Sequence, residues 1–213
     1  DENISFDEAC RIAGRETIER GEVFRDGTIP YQRFRAWQVA GRTVGIVGLG
    51  AGGRATAWRF AGLGMRVISA DPFAPDATHD LDDLLAEADV VSMHAGVTPD
   101  TAGMISADRI ARMKPGAVYL NTARAALHDL DAIADALASG HLAGAGLDHF
   151  EGELLATDHP ITSMANVVLT PHIGGATYDT ETNHTALIAE GLAALLRGEV
   201  PANLANPEVL ASA

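Results

Sequence analysis

From residue 43 onward, two kinds of apolar pattern alternate along the chain. Short runs that are apolar almost throughout recur as TVGIVG (43–48), MRVISA (65–70), DVVSMH (89–94), GAVYLN (116–121), AGAGLD (143–148) and NVVLTP (166–171). Such Val-rich runs, with no polar residue at every second position, predict strands buried on both faces, as in a parallel sheet. Between them, RATAWRFAGLG (54–64), LDDLLAEA (81–88), SADRIARM (106–113) and HDLDAIADALASG (128–140) carry apolar residues at three- and four-residue spacing, with glycine closing the first and the last. Further helices are predicted at the N-terminus, from DENISFDEACRIAGRETIERGE, and near the C-terminus, from ETNHTALIAEGLAALLRGE, which stops before Pro201. The alternation predicts an α/β architecture with a doubly wound parallel sheet. It divides the chain into an N-terminal helix and arm (1–40), the sheet domain (41–175), and a C-terminal helix and tail (176–213). The arm concentrates Phe24, Tyr31, Phe34 and Trp37 outside any periodic element, which suits packing either on its own domain or on a second subunit.

The first strand runs into GIVGLGAGGRA (45–55), where Gly48, Gly50 and Gly53 have G-x-G-x-x-G spacing. The spacing alone is weak, but between a strand and a helix it has a mechanism. Gly48 permits a tight turn, Gly50 admits a pyrophosphate close to the backbone, and Gly53 lets helix pack on strand. The N–H groups around Ala51 and Gly52 face the anion. The second strand ends in ISADPF, placing Asp71 eighteen residues beyond Gly53, where a carboxylate accepts hydrogen bonds from ribose hydroxyls. A 2′-phosphate there meets like charge, and no arginine follows Asp71, so NAD is preferred to NADP. The same residues also fit a glycine turn with a capping aspartate. The dinucleotide reading makes 41–175 a Rossmann-type domain.

Composition narrows the partners. A formal charge of -14 over 213 residues, with a pI near 4.8, disfavours nucleic acid and anionic membrane surfaces. No apolar stretch approaches the roughly 18 residues that span a bilayer, and the N-terminus lacks a signal-peptide pattern. Cys10 is the single cysteine, which excludes an internal disulfide and suits a reducing, cytoplasmic setting. The chain begins without methionine, which suits a piece of a longer protein.

Three later strands end in polar groups: Arg124 in VYLNTARAALHD, Asp148 and Glu153 in GLDHFEGEL, and His172 in LTPHIGGAT. The C-terminal ends of parallel strands converge on the ligand crevice, so these groups can meet there. Reduction of a 2-keto acid needs a proton donor, which imidazolium beside a carboxylate supplies, and a fork for the substrate carboxylate, which arginine supplies. Taken locally, His172 also fits an ordinary loop residue after a strand ending at Thr170-Pro171, with Gly174 and Gly175 free to take unusual conformations. The remaining histidines show no zinc-ligand spacing and fall mostly at loop or helix ends, so no metal site is expected; His94, at a strand end, could border an adenine.

The ordered set GLGAGG, ADP, NTAR, GLDHFEGE and TPHIGG resembles the D-isomer-specific 2-hydroxyacid dehydrogenase family over nearly the whole chain. That resemblance implies an NAD-dependent oxidoreductase acting on a D-2-hydroxy acid or 2-keto acid, as a homodimer. By the same resemblance Arg124 binds substrate, His172 is the acid/base and Glu153 its orienting partner. Asp148, with the backbone at Thr122 and Ala123, would hold the nicotinamide carboxamide. It also implies a substrate domain upstream of Asp1, joined through the first and last helices. Departures are Ala125 and Gly96, where the family has glycine and proline respectively, Gly52 in place of a branched residue, and Leu154 in place of proline. A competing reading is an NAD(H)-sensing module without turnover.

Overall fold

A computed structural model describes residues 36–204 and 206; the N-terminal helix, Cys10 and most of the aromatic arm lie outside the described residues. The chain divides after Ala40, and the account below concerns the unit Gly41–Ala213.

Six parallel strands form one sheet: β1 (Thr43–Val47), β2 (Arg66–Ala70), β3 (Val90–Met93), β4 (Ala117–Asn121), β5 (Leu142–Leu147) and β6 (Val167–Leu169), in the order β2-β1-β3-β4-β5-β6. All six apolar runs are strands. Side chains from the sheet enter two apolar clusters. Val44 and Ile46 join Leu49 and Met65 in one, while Val47, Val91, Met93 and Tyr119 join Leu84, Leu85, Ile110 and Ile133 in the other. A strand covered on both faces needs apolar residues at successive positions, which is why the runs do not alternate. Each fully buried Leu or Ile contributes about 1.5–3 kcal/mol.

Five α-helices follow: α1 (Ala51–Gly62), α2 (Leu81–Glu87), α3 (Ala107–Arg112), α4 (Leu130–Ala138) and α5 (Tyr178–Leu196). Four begin with a side chain that accepts a first-turn N–H: Asp80, Ser106, Asp129 and Thr177. Helix α1 begins at Gly50 with no such cap. Gly64 and Gly140, in left-handed conformations (φ +77° and +76°), end α1 and α4 as their positions in sequence predict. No α-helix lies between β5 and β6; that crossing is made by the single 3-10 turns Glu151–Glu153 and Pro160–Ser163. None of the described helices is long and apolar enough to cross a membrane.

Candidate active site

The strand order reverses between β1 and β3, and the loop after β1 stands at this switch point. Gly48 has φ +97°, and a Cβ there would lie 2.6 Å from the Ala95 nitrogen. At Gly53 a Cβ would lie 1.9 Å from the Gly48 carbonyl oxygen. The chain's own packing therefore demands both glycines. At Gly50 and Gly52 a Cβ would meet nothing within 4 Å, so no neighbour among the described residues explains these two. They leave open space over the uncapped start of α1, which is what a pyrophosphate lying on N–H groups requires. Asp71, just beyond β2, accepts the N–H groups of Leu49 (2.7 Å) and Phe73 (2.9 Å), so its carboxylate is tied to the glycine loop. This donor set fits the adenosine and diphosphate of a dinucleotide.

Arg54 qualifies the expectation that no arginine attends Asp71. It reaches the same rim from α1, near enough for Asp71 to favour its charged form, but its guanidinium is held by both oxygens of Asp76, at 2.5 and 2.8 Å. The sequence distance between Arg54 and Asp71 concealed this approach.

Beyond β4, Asn121 is buried and organises the turn that carries Arg124. Its Oδ1 accepts the Ala123 N–H (2.9 Å), while its Nδ2 donates to the Arg124 carbonyl (2.9 Å) and to His128 Nδ1 (2.8 Å). Burial pushes His128 down to about 4, and the Asn121 donor needs its nitrogen unprotonated. Arg124 itself is exposed, with Nη1 on the Ala123 carbonyl at 2.5 Å. Both backbone groups of Ala123 are thus engaged within the chain; Thr122 is exposed. Ala125 does not take a positive φ, so the departure from glycine there costs nothing in backbone strain.

The loops after β5 and β6 are built around Asp148. Its buried carboxylate accepts the Thr170 hydroxyl (2.5 Å) and the N–H groups of Ile173 and Gly174 (both 2.9 Å), and its carbonyl accepts the His172 N–H (2.8 Å). Burial alone would raise this carboxyl, but these donors hold it below the usual range. Gly174 is small because a Cβ would stand 3.0 Å from Asp148 Oδ2. The expected conformational freedom of Gly174 and Gly175 is not what the loop uses: His172 itself takes the left-handed conformation (φ +54°), as does Glu153 (φ +59°). These are the two positive-φ non-glycine residues among those described. Clamped in this way, His172 Nδ1 meets Glu153 Oε1 at 2.9 Å.

His149 corrects the sequence reading, which grouped it with solvated loop histidines. It is 4% exposed and lies against His172, with ring centroids 3.7 Å apart and the planes tilted by 53°. Burial, then the charges of His172 and Arg124, hold it below the usual histidine range, against Asp148 and Glu153. The missed signal was its place directly after a buried aspartate at a strand end. A cavity of about 690 Å³ connects Gly52, His94 and Arg124 with His149 and Glu153. His94 is half-buried, bonds Ser92 Oγ through Nε2 at 2.9 Å and is pushed down by burial. Other histidines have structural partners: His79 pairs with Glu87 and His159 with Asp131.

Residues 12–174 match the family described as D-isomer specific 2-hydroxyacid dehydrogenase, NAD binding domain. The chain is 38% identical over 210 residues to a glyoxylate reductase of Korarchaeum cryptofilum, covering 93% of this chain and 63% of that protein. It is also 38% identical over 202 residues to the D-3-phosphoglycerate dehydrogenase of Mycobacterium tuberculosis H37Rv, covering 91% of this chain and 38% of that one. Among solved structures, the NAD complex of a D-isomer specific 2-hydroxyacid dehydrogenase from Lactobacillus delbrueckii ssp. bulgaricus aligns with a TM-score of 0.75 at 30% identity, covering 88% of this chain and 61% of that one. The chain thus spans less than two thirds of the length of these relatives.

Proposed function

Since this chain belongs to the D-isomer specific 2-hydroxyacid dehydrogenase family and carries its NAD-binding domain, we propose that it serves an oxidoreductase that interconverts a D-2-hydroxy acid and its 2-keto acid. The observation that carries the proposal is the His172–Glu153 pair, 2.9 Å apart at the rim where the Arg124 turn also arrives. Glu153 occupies Nδ1, which leaves Nε2 to address substrate. Arg124 binds the substrate carboxylate and keto oxygen through its planar fork. In reduction, His172 gives a proton to the keto oxygen, and Glu153 stabilises the imidazolium beforehand. In oxidation, the neutral imidazole removes the hydroxyl proton. The Gly48–Gly53 loop and Asp71 would hold NAD by its diphosphate and ribose, and the bound cofactor would supply or accept the hydride. Asp148 Oδ2 accepts one bond within the loop and has a lone pair left for the carboxamide, as does the Ala123 carbonyl, beside Thr122.

We infer further that the substrate is a small acid and that the protein works as a homodimer in the cytoplasm. Leu187, Ile188, Leu192 and Leu195 of α5 are each at least half exposed, an apolar surface suited to a second subunit or a further domain. The relatives' greater length supports a separate substrate domain closing over Arg124. A steady-state assay of the full-length protein against a panel of 2-keto acids with NADH tests the reading. Reduction of at least one supports it, and NADH binding without turnover of any of them favours an NAD(H)-sensing role.

A further inference from the structure

His149 is a buried imidazole whose ring nitrogens have no hydrogen-bond partner among the described residues, yet it lines the cavity and lies against the His172 ring. Buried polar atoms are normally paired, so an unpaired imidazole facing a cavity calls for an occupant. One nitrogen from each of His149 and His172 and one oxygen of Glu153 lie within 4.8 Å of one another. Two imidazoles and a carboxylate are a donor set that zinc uses with a fourth position left open. In a tetrahedral site with bonds near 2.1 Å, ligand atoms stand about 3.4 Å apart, so the three side chains have to readjust by roughly an ångström to close the set. We propose that a divalent cation of the Zn²⁺ class binds across His149, Glu153 and His172 and, when bound, blocks proton transfer by His172.

Several features support the site. The Asp148 clamp holds the backbone around His172, and the His172–Glu153 hydrogen bond already brings two of the three ligands together. Arg124 opposes a cation, but Asp148 and Glu153 both face His149, and the Arg124 guanidinium is turned onto the Ala123 carbonyl. The inhibitory consequence is direct. Neutral imidazole has one lone pair; the ion takes it, the second proton of the imidazolium is released to solvent, and the N–H that remains on the other nitrogen is too weak an acid to protonate substrate oxygen.

Ion binding stands apart from the dehydrogenase reading, whereas inhibition rests on it. The test therefore reads both. Untagged full chain is titrated with Co²⁺, following its visible d–d absorption, and with Zn²⁺ by calorimetry, alongside His149→Val and His149→Cys; NADH fluorescence confirms that each variant is folded. We expect tetrahedral Co²⁺ bands and Zn²⁺ binding in the unmodified chain, at least tenfold weaker binding in His149→Val, and binding retained in His149→Cys, whose thiolate also ligates zinc. Equal affinity in the unmodified chain and His149→Val, or no binding by either, overturns the site. Saturating Zn²⁺ is expected to abolish 2-keto acid reduction by the full-length protein; reduction unchanged under saturating Zn²⁺ overturns the block on His172 while leaving the ion site standing.

Discussion

In the proposed reaction, the left-handed loop at His172 and the bond to Glu153 together fix which imidazole nitrogen is left for the substrate. Removing the charge of Glu153 while keeping its shape makes imidazolium less favoured, and reduction requires imidazolium. Glu153→Gln is therefore expected to lose keto-acid reduction at lower pH than the unmodified enzyme, read from single-turnover rates across pH; an unchanged profile removes Glu153 from this role. At the other end of the cofactor site, Asp71 accepts two loop N–H groups besides any ribose hydroxyl. NADH should bind more tightly than NADPH, and Asp71→Ala should weaken NADH while narrowing the gap, with fluorescence titration as the measure. Arg54 should contribute little to NADPH binding until Asp76 is also replaced, because its guanidinium is held. Sequence reading reaches Arg124, Glu153 and His172 because each sits in a short motif at a strand end. It does not reach His149 or Asn121, whose importance lies in burial and in contacts across strands that no local pattern encodes.

Among the elements, β1, its loop and α1 separate two uses of glycine that look alike in GLGAGG. Gly53→Ala forces a Cβ to within 1.9 Å of the Gly48 oxygen, so α1 must move off β1 at a cost of about 2–3 kcal/mol in denaturant unfolding. Gly50→Ala meets nothing and should leave the unfolding midpoint in place while weakening NADH binding. Equal destabilisation by both would contradict this division. The Arg124 turn adds a pH dependence. His128 is held at about 4 by burial, below its ordinary 6.5. Between those values the unfolded chain binds a proton that the folded one refuses, so this stability is complete above about pH 6.5 and is lost as pH falls toward 4, about 3 kcal/mol in all. His128→Gln should flatten that part of the urea-stability profile. The strands and described helices were legible because burial on both faces leaves unbroken apolar runs. The 3-10 crossing between β5 and β6 was not, since a single turn is too short to show a period.

On the scale of the molecule, the candidate cofactor groups and the proposed acid/base pair follow the carboxyl ends of strands in one sheet, yet the pair stays open to solvent, with His172 and Glu153 side chains 44% and 62% exposed. Holding a keto carbon against the nicotinamide and excluding water can supply roughly 7–11 kcal/mol of a barrier. The 213 residues alone are accordingly expected to bind NADH, seen by fluorescence, but to reduce 2-keto acids far more slowly than a longer protein that carries them; equal turnover would show that no further domain is needed. The two left-handed residues carry a different implication. Backbone held there by a non-glycine side chain costs on the order of 1–3 kcal/mol per residue. Asparagine relieves much of it, so Glu153→Asn should abolish reduction without lowering the melting temperature. A chain that bound NAD without turnover would have no use for that strain at Glu153, and the proposed acid/base pairing with His172 gives it one.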